Sequence, residues 1–294
     1  MNKLQQIEFE MLEAFVNICE KLDLRYYLVR GSALGAIKYE GFIPWDDDID
    51  VALPRADYEV FCREAQKYLP DHIFLQNYRT DKECPIIISR LRNCNTTYVI
   101  KLYKEWNCNH GAFIDVIPLD VYPHENTIKF EKQKMKHARR RAAYLCEEYS
   151  IPWKNLRSFL VKVWIRLCGE RNLSKHIKEF DEFVSNPSFK SDILCNHGSW
   201  QGKLEYVPAE QYGDGVLMNF EGLKVRVPSK YDEYLTQKYG DWRADLPEDQ
   251  KVGHHYYEIC DLEHSYTDYI EKVYKNGRKI KLRKTPKNDK QHND

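Results

Sequence analysis

The sequence predicts an α/β (α+β) fold, in which a mixed β-sheet is flanked by helices and is followed by a helical C-terminal half. Two observations predict it. Helix-like and strand-like segments alternate as far as Pro70, and further strand-like segments then cluster as far as residue 117. Beyond Pro123 the chain is charged and helical in pattern, with Trp and Phe residues at intervals.

The first half is predicted to begin with a helix, because apolar residues recur at helical spacing through residues 4–22. A strand should follow at residues 26–30, and a helix should begin at Ser32. A second strand is predicted at 49–53, stopping at Pro54, and a further helix at 55–68. Four β-rich runs come next, at residues 73–76, 86–91, 96–100 and 112–117.

The second half is predicted to be helical at residues 125–148 and 153–185. A hairpin over residues 216–227 should turn at Glu221-Gly222, and a helix over 229–239 should end at Gly240. The tail from Lys275 is basic and polar, so we expect it to be disordered. The chain thus divides into a catalytic core (1–121), a portion that completes the substrate site (122–274) and a tail (275–294).

Composition excludes several classes of protein. The 294 residues carry 45 basic and 45 acidic side chains, and this balance argues against a dedicated nucleic-acid binder. No run approaches the roughly 18 apolar residues of a membrane span, and the N-terminus lacks the apolar core of a signal peptide. Nine cysteines without a C-x-x-C pair indicate reduced thiols, which argues against a disulfide framework or zinc site. We therefore expect a cytoplasmic protein.

Acidic and apolar residues alternate around residue 50. Asp48 and Asp50 flank Ile49 on a predicted strand, so the two carboxylates share one face while Ile49 and Val51 point into the core. The two carboxylates repel each other, and each raises the pKa of the other unless a cation lies between them. Mg²⁺ held by carboxylates and substrate phosphates is the usual solution, with Mn²⁺ as the alternative ion.

Two further segments complete a candidate phosphoryl-transfer site. Asp115 lies between Ile114 and Val116 on another predicted strand. If the two strands are neighbours, three carboxylates can hold one or two metal ions. Gly31 and Ser32 precede a predicted helix, where Gly lets a phosphate approach the backbone, Ser offers a hydroxyl and the helix start presents free N–H groups.

Each piece also has an ordinary structural explanation. A Gly-Ser pair before a helix is usually a turn, and an acidic run such as Asp46-Asp47 is usually a solvated loop. The combination is much less expected by chance, because the acids alternate with apolar residues. We therefore favour the functional interpretation of the whole set.

At these residues the sequence resembles the LicD family, the bacterial phosphocholine transferases related to fukutin. The strings that carry the resemblance are RGSALGA at 30–36, GFIPWDDDIDV at 41–51 and GAFIDVIPLD at 111–120. Later matches run from Phe220-Glu221-Gly222 to Val227-Pro228 and through Tyr239-Gly240-Asp241-Trp242. The resemblance spans most of residues 25–245 and is weak between about 122 and 205. The string PWDDDID is the most specific part.

The resemblance implies a nucleotidyltransferase-type fold, Mg²⁺ and a CDP-alcohol donor, with CDP-choline the first choice. It also implies a glycan or lipid-linked glycan acceptor. By position, Asp48 and Asp50 would bind the metal, Asp115 would be a third ligand or the base, and Gly31 with Ser32 would hold the donor phosphates. Because some members handle ribitol phosphate, the family does not fix the alcohol.

Several side chains near these segments are weaker candidates. Arg30, Lys38, Arg90 and Arg92 lie close in sequence to the site and could bind phosphate, although surface solvation explains each of them as well. His254 is a candidate for acceptor binding, but a lone histidine is more often structural.

Other interpretations remain open. A basic run at residues 132–141 and an aromatic-rich segment at 153–167 could contact an anionic membrane surface, although packing on the core with a solvated basic face is the favoured explanation. The first rival function is a nucleotidyltransferase that moves NMP from an NTP onto a small molecule. The second is a non-catalytic nucleotide- or glycan-binding scaffold. The clustered acids count against this alternative, because a protein that only binds its ligand would have no need for clustered buried charge.

Overall fold

The computed structural model describes residues 1–146, 159–160, 173–199, 201–253, 256–275 and 277–287. The helices in these ranges are α1 (Lys3–Lys21), α2 (Arg30–Lys38), α3 (Arg55–Glu64), α4 (Thr127–Cys146), α5 (Leu173–Val184), α6 (Ala209–Tyr212), α7 (Tyr231–Tyr239) and α8 (Tyr266–Tyr269). The strands are β1 (Tyr27–Leu28), β2 (Asp50–Pro54), β3 (Ile73–Gln76), β4 (Ser89–Asn93), β5 (Thr97–Ile100), β6 (Ala112–Val121), β7 (Ile193–Cys195), β8 (Val207–Pro208), β9 (Val216–Phe220), β10 (Leu223–Val227), β11 (Tyr257–Asp261), β12 (Ile270–Val273) and β13 (Ile280–Leu282).

The central sheet is mixed, as predicted. Its strand order is β1-β2-β6-β4-β3, and β7 and β8 extend it from the far end of β6. Strands β2 and β6 run parallel, whereas β1, β3 and β4 pair antiparallel with their neighbours. A parallel pair places the N-terminal ends of both strands at the same edge, and the predicted acids lie at that edge.

Helix α1 packs on the core through one apolar face. Asn2 caps it, because the Asn2 side chain accepts from the backbone N–H of Gln5 while the Gln5 side chain accepts from that of Asn2. Met11 and Phe15 on this helix are fully buried. The core that they enter joins the central sheet to α3, the β9–β10 hairpin and α7.

Most of the predicted elements are confirmed. The hairpin turns at Glu221-Gly222, and Gly240 ends α7 with a positive φ of 70°. The predicted strand at 86–91 begins later, at Ser89, and the predicted helix at 153–185 is described only from Leu173 onward and at residues 159–160. The pairing of β11 with β5 was not predicted.

The predicted disorder of the tail is wrong for residues 277–287. Ile280–Leu282 forms β13 and pairs with β12, and the Ile280 side chain is buried. The apolar–Lys–apolar alternation of this strand is a period-2 signal that the basic composition of the tail conceals. The division of the chain at residue 121 stays a prediction.

Within the described ranges, we find no helix whose length and apolar character would let it cross a membrane. The predicted basic helix exists as α4. The aromatic-rich segment at 153–167 lies outside the described residues, apart from Phe159 and Leu160, which are exposed.

Candidate active site

The predicted acids meet at one edge of the sheet. In the parallel pair β2–β6, Asp50 lies directly opposite Asp115. Ile49 and Val51 are fully buried, so the expected alternation of core and site residues is confirmed. Asp48, predicted on the strand, lies in the loop just before it, because β2 begins at Asp50.

Asp48, Asp50 and Asp115 line one cavity of about 630 Å³. Gly31, at the start of α2, lines the same cavity. A Cβ atom on residue 31 would lie 2.7 Å from Oδ2 of Asp46, so a larger residue here would require the Asp46 side chain to move. The cavity therefore joins an acidic strand edge to a helix start, the two features of a phosphate site.

Two arginines neutralise part of the acidic edge. Nη1 of Arg30 lies 3.3 Å from Oδ1 of Asp50, and Nε of Arg90 lies 2.5 Å from Oδ1 of Asp115. The Arg90 guanidinium also stacks on Phe113, with its central carbon 3.7 Å from the ring centroid. Arg30 adopts a positive φ of 52°, a strained conformation for a residue other than glycine.

The cations do not fully offset the acids. Burial raises the pKa of Asp50 to about 8, with the Asp48 and Asp115 charges adding to the rise and Arg30 opposing it. Among the described residues that line the cavity, five aspartates face three basic side chains. The site therefore favours an added cation.

The donor set fits a hard divalent ion. Asp46, Asp47 and Asp48 each present a ligand atom, and these atoms lie within 4.8 Å of one another. In the predicted set of Asp48, Asp50 and Asp115, by contrast, Asp50 and Asp115 are each in contact with an arginine. All of these donors are carboxylate oxygens, the ligands that Mg²⁺ and Mn²⁺ prefer.

The predicted phosphate-binding cations divide into two groups. Arg30, Arg90 and Lys38 line the cavity, although Nζ of Lys38 also donates to the carbonyls of Arg243 and Ala244. Arg92 does not line it: its guanidinium is buried, donating to Oε1 of Gln76 at 2.7 Å and to a backbone carbonyl. Arg92 is therefore a structural residue, and this prediction is wrong.

The expected phosphate-binding role of Ser32 does not match its position, and the prediction for His254 falls on a residue that the structure does not describe. Ser32 is buried and accepts from the backbone N–H of Asp50 at 2.8 Å, so its hydroxyl positions the strand edge and is not directed at a phosphate. His254 lies outside the described residues.

Glu205 belongs to the site and was missed. Its Oε1 accepts from Nη2 of Arg30 at 2.7 Å, and its Oε2 lies 3.1 Å from Nζ of Lys238. The hydroxyl of Tyr234 accepts from the Arg30 backbone N–H at 3.0 Å. Because Glu205 lies in a short 3₁₀ turn without periodicity, no local sequence pattern distinguishes it.

Aromatic side chains line the rest of the cavity. Tyr39 and Trp45 meet edge to face with ring centroids 6.2 Å apart. Tyr239 and Trp242, from the later matched string, line the same cavity. A wall of π-faces beside excess negative charge suits an organic cation.

Comparison with known proteins agrees with this geometry. Residues 23–165 match the family model described as LicD/FKTN/FKRP, nucleotidyltransferase domain. Residues 23–165 are therefore similar to the LicD nucleotidyltransferase domain. Over 87% of its length it is similar to the lipopolysaccharide cholinephosphotransferase LicD of Haemophilus influenzae, at 27% identity and covering 96% of that protein. The uncharacterized protein RP689 of Rickettsia prowazekii is 24% identical over 39% of this chain and 40% of its own length.

These findings confirm the family resemblance and the nucleotidyltransferase-type fold. The matched residues 23–165 include Gly31, Asp48, Asp50 and Asp115, together with both arginines that contact the acids. Glu205 lies beyond these matched residues.

Proposed function

We propose that the protein transfers phosphocholine from CDP-choline to a glycan in an Mg²⁺-dependent reaction that releases CMP. The observation that carries the proposal is the convergence of Asp48, Asp50 and Asp115 with the Gly31 helix start in one cavity. The Haemophilus relative, named a lipopolysaccharide cholinephosphotransferase, supports phosphocholine as the group and a glycan as the acceptor.

The chemistry is an in-line displacement at phosphorus. The oxygen of an acceptor hydroxyl forms a bond to the phosphorus that bears choline, the bond from that phosphorus to CMP breaks, and the hydroxyl proton leaves. A bound Mg²⁺ would neutralise phosphate charge as CMP departs. Asp48 and Asp50 are the proposed ligands, with Asp46 and Asp47 close enough to share the ion.

Asp115 has two proposed roles, third metal ligand or acceptor of the hydroxyl proton. Arg90 contacts only one of its oxygens in the structure and fixes the orientation of the carboxylate. Arg30 lies on the same edge, where its positive charge is available to donor phosphate once metal binds Asp50.

The aromatic wall is the proposed site of the choline headgroup. A quaternary ammonium cannot donate hydrogen bonds, so π-faces and diffuse negative charge are what can recognise it. Tyr39, Trp45, Tyr239 and Trp242 supply the faces, and the excess of aspartates supplies the charge. A cytoplasmic location, with peripheral contact at the inner face of the membrane, is proposed because both substrates would be met there.

The test is CMP release from CDP-choline, CDP-ethanolamine, CDP-ribitol and CDP-glycerol, with Mg²⁺ and an oligosaccharide released from lipopolysaccharide as acceptor. Wild type is compared with Asp48→Ala and with Asp214→Asn, which changes an exposed aspartate outside the cavity. We expect CDP-choline to be used best, Asp48→Ala to lose at least 100-fold, and Asp214→Asn to match wild type. Pyrophosphate release from a nucleoside triphosphate, with no CDP donor used, would instead establish NMP transfer.

A further inference from the structure

A second cavity of about 620 Å³ adjoins the catalytic cavity. Ile87, Gly198 and Ser199 line both cavities, so the two cavities share part of their walls. Asn196 lines the catalytic cavity and His197 lines the second one. A molecule in the second cavity would therefore lie beside a wall of the catalytic cavity.

The walls of the second cavity are largely aromatic. Tyr122 and Tyr206 stack with ring centroids 4.4 Å apart. His137 and His176 stack at 5.5 Å, with their ring planes 13° apart, and Phe180 lies against His137. Rigid apolar rings of this kind accept the C–H face of a sugar ring.

Polar groups that suit hydroxyls are placed beside these rings. The hydroxyl of Tyr206 donates to Oε1 of Glu131 at 2.8 Å, and Nζ of Lys134 donates to both residues. Nδ1 of His137 is buried and has no hydrogen-bond partner within the described part of the chain. His137 is more than nine-tenths buried and lines the cavity, so this ring nitrogen is a candidate partner for a hydroxyl bound there.

The two cavities differ in the net charge of the side chains that line them, so they suit different ligands. In the part of the chain that the structure describes, the lining of the second cavity has one carboxylate, Glu131, and two ammonium groups, Lys134 and Lys203. Burial lowers the pKa of His197 to about 4, so this histidine adds no charge at neutral pH. The balance is positive here and negative in the catalytic cavity, so the choline cation belongs in the latter.

We propose that the second cavity binds a pyranose ring of the glycan acceptor, with Lys134, Glu131 and His137 bonding its hydroxyls. One sugar hydroxyl would then reach past Gly198 and Ser199 to the phosphorus of the donor. The assignment of this sugar as the acceptor rests on the proposed function, whereas the sugar-binding site itself can be tested without turnover.

The binding test uses saturation-transfer NMR with the methyl pyranosides of glucose, galactose and N-acetylglucosamine. Ala138 is exposed on α4 and lines the cavity, so Ala138→Phe fills the cavity without disturbing the core. Gln133→Phe, on the same helix but outside the cavity, is the matched control. We expect at least one sugar to bind wild type and Gln133→Phe, and the signal to fall at least fivefold in Ala138→Phe. No signal in wild type, or an equal signal in Ala138→Phe, overturns the site.

The kinetic test uses Lys134→Met, which keeps much of the side-chain length and removes the donor. We expect the KM for an oligosaccharide released from lipopolysaccharide to rise at least tenfold, with the KM for CDP-choline within twofold of wild type. Equal changes in both constants, or none, overturn the acceptor assignment. If wild type releases no CMP from any CDP donor, the proposed function fails, and the NMR result still decides whether the cavity binds sugar.

Discussion

Asp50 is the residue on which the site's electrostatics depend. It is 6% exposed, it faces Asp115 across the strand pair, and it has one arginine contact. A buried carboxylate with too little positive charge around it stays protonated to a higher pH than usual. Metal and proton therefore compete for the same oxygens.

This competition predicts a pH-dependent metal requirement. The pKa of Asp50 is raised from 3.8 to about 8, so between these values the metal-free protein holds a proton that must leave before a metal ion binds. The Mg²⁺ concentration for half-maximal activity should fall by up to about tenfold per pH unit from pH 6.5 to 8 and then level off. Activity titrations at several pH values measure it. A requirement that does not change with pH would contradict the assignment.

Glu205 is predicted to act as a positioning residue. It anchors Arg30 and Lys238, and its charge contributes to the raised pKa of Asp50. Glu205→Gln should lower kcat about tenfold and move the pH profile of the Mg²⁺ requirement to lower pH. Glu210→Gln, which removes an exposed partner of Lys230, is the control. A lower kcat with an unmoved pH profile would indicate a merely structural role.

At the scale of elements, the far end of β6 is fixed by a buried ion network. Arg55, at the start of α3, makes two bonds of 2.7 Å to the carboxylate of Asp120 and one of 2.9 Å to Asp181 on α5. The network ties α3 and α5 to the strand that carries Asp115. It lies outside the residues that line the catalytic cavity.

Removing one partner of this network should cost stability while sparing metal binding. Asp120→Ala leaves the Arg55 guanidinium short of its main partner, and we expect a loss of about 3–5 kcal/mol in the free energy of unfolding. Urea unfolding measures this loss, with Glu210→Ala as an exposed-pair control expected to cost about 1 kcal/mol or less. A loss for Asp120→Ala no larger than that of the control would show that the network is not needed.

Local sequence patterns predict helices and strands well, but they predict poorly which strands and side chains contact one another. Ile49 and Val51 predict a buried strand, because apolar and acidic residues alternate around them. The predicted start of this strand differs from the observed start by only one residue. The sequence could predict that Asp50 and Asp115 lie close together only if their two strands are neighbours, because strand order is set by the whole chain. Arg90 and Arg92 share the same strand spacing, yet one lines the cavity and the other binds Gln76, a difference that no local pattern carries.

At the scale of the whole molecule, burial shifts the pKa values of two histidines. His110 and His197 come from distant parts of the chain, and burial lowers the pKa of each to about 4. The His110 ring donates to the carbonyl of Trp106 at 2.8 Å, which requires only the neutral form. Both histidines are therefore expected to stay neutral in the folded state at mildly acidic pH.

The two histidines are predicted to contribute a loss of stability in acid. Between pH 6.5 and about 4 the unfolded chain binds protons at these two positions and the folded protein does not, so their contribution to stability falls as pH falls, whereas the raised pKa of Asp50 acts in the opposite direction. Each histidine contributes a slope of up to about 1.4 kcal/mol per pH unit. Urea unfolding at pH 7 and pH 5 should show a smaller difference for His110→Gln than for wild type. An identical difference in both proteins would contradict this origin of the acid sensitivity.

The most direct test of the central claim is the metal dependence of phosphocholine transfer. Transfer from CDP-choline to the oligosaccharide acceptor is followed together with CMP, in EDTA and after Mg²⁺ is restored, for wild type and Asp50→Asn. We expect one CMP per phosphocholine transferred, no transfer in EDTA, full recovery with Mg²⁺, and at least a 100-fold loss in Asp50→Asn at any Mg²⁺ concentration. Transfer that persists in EDTA, or an Asp50→Asn variant as active as wild type, would contradict it.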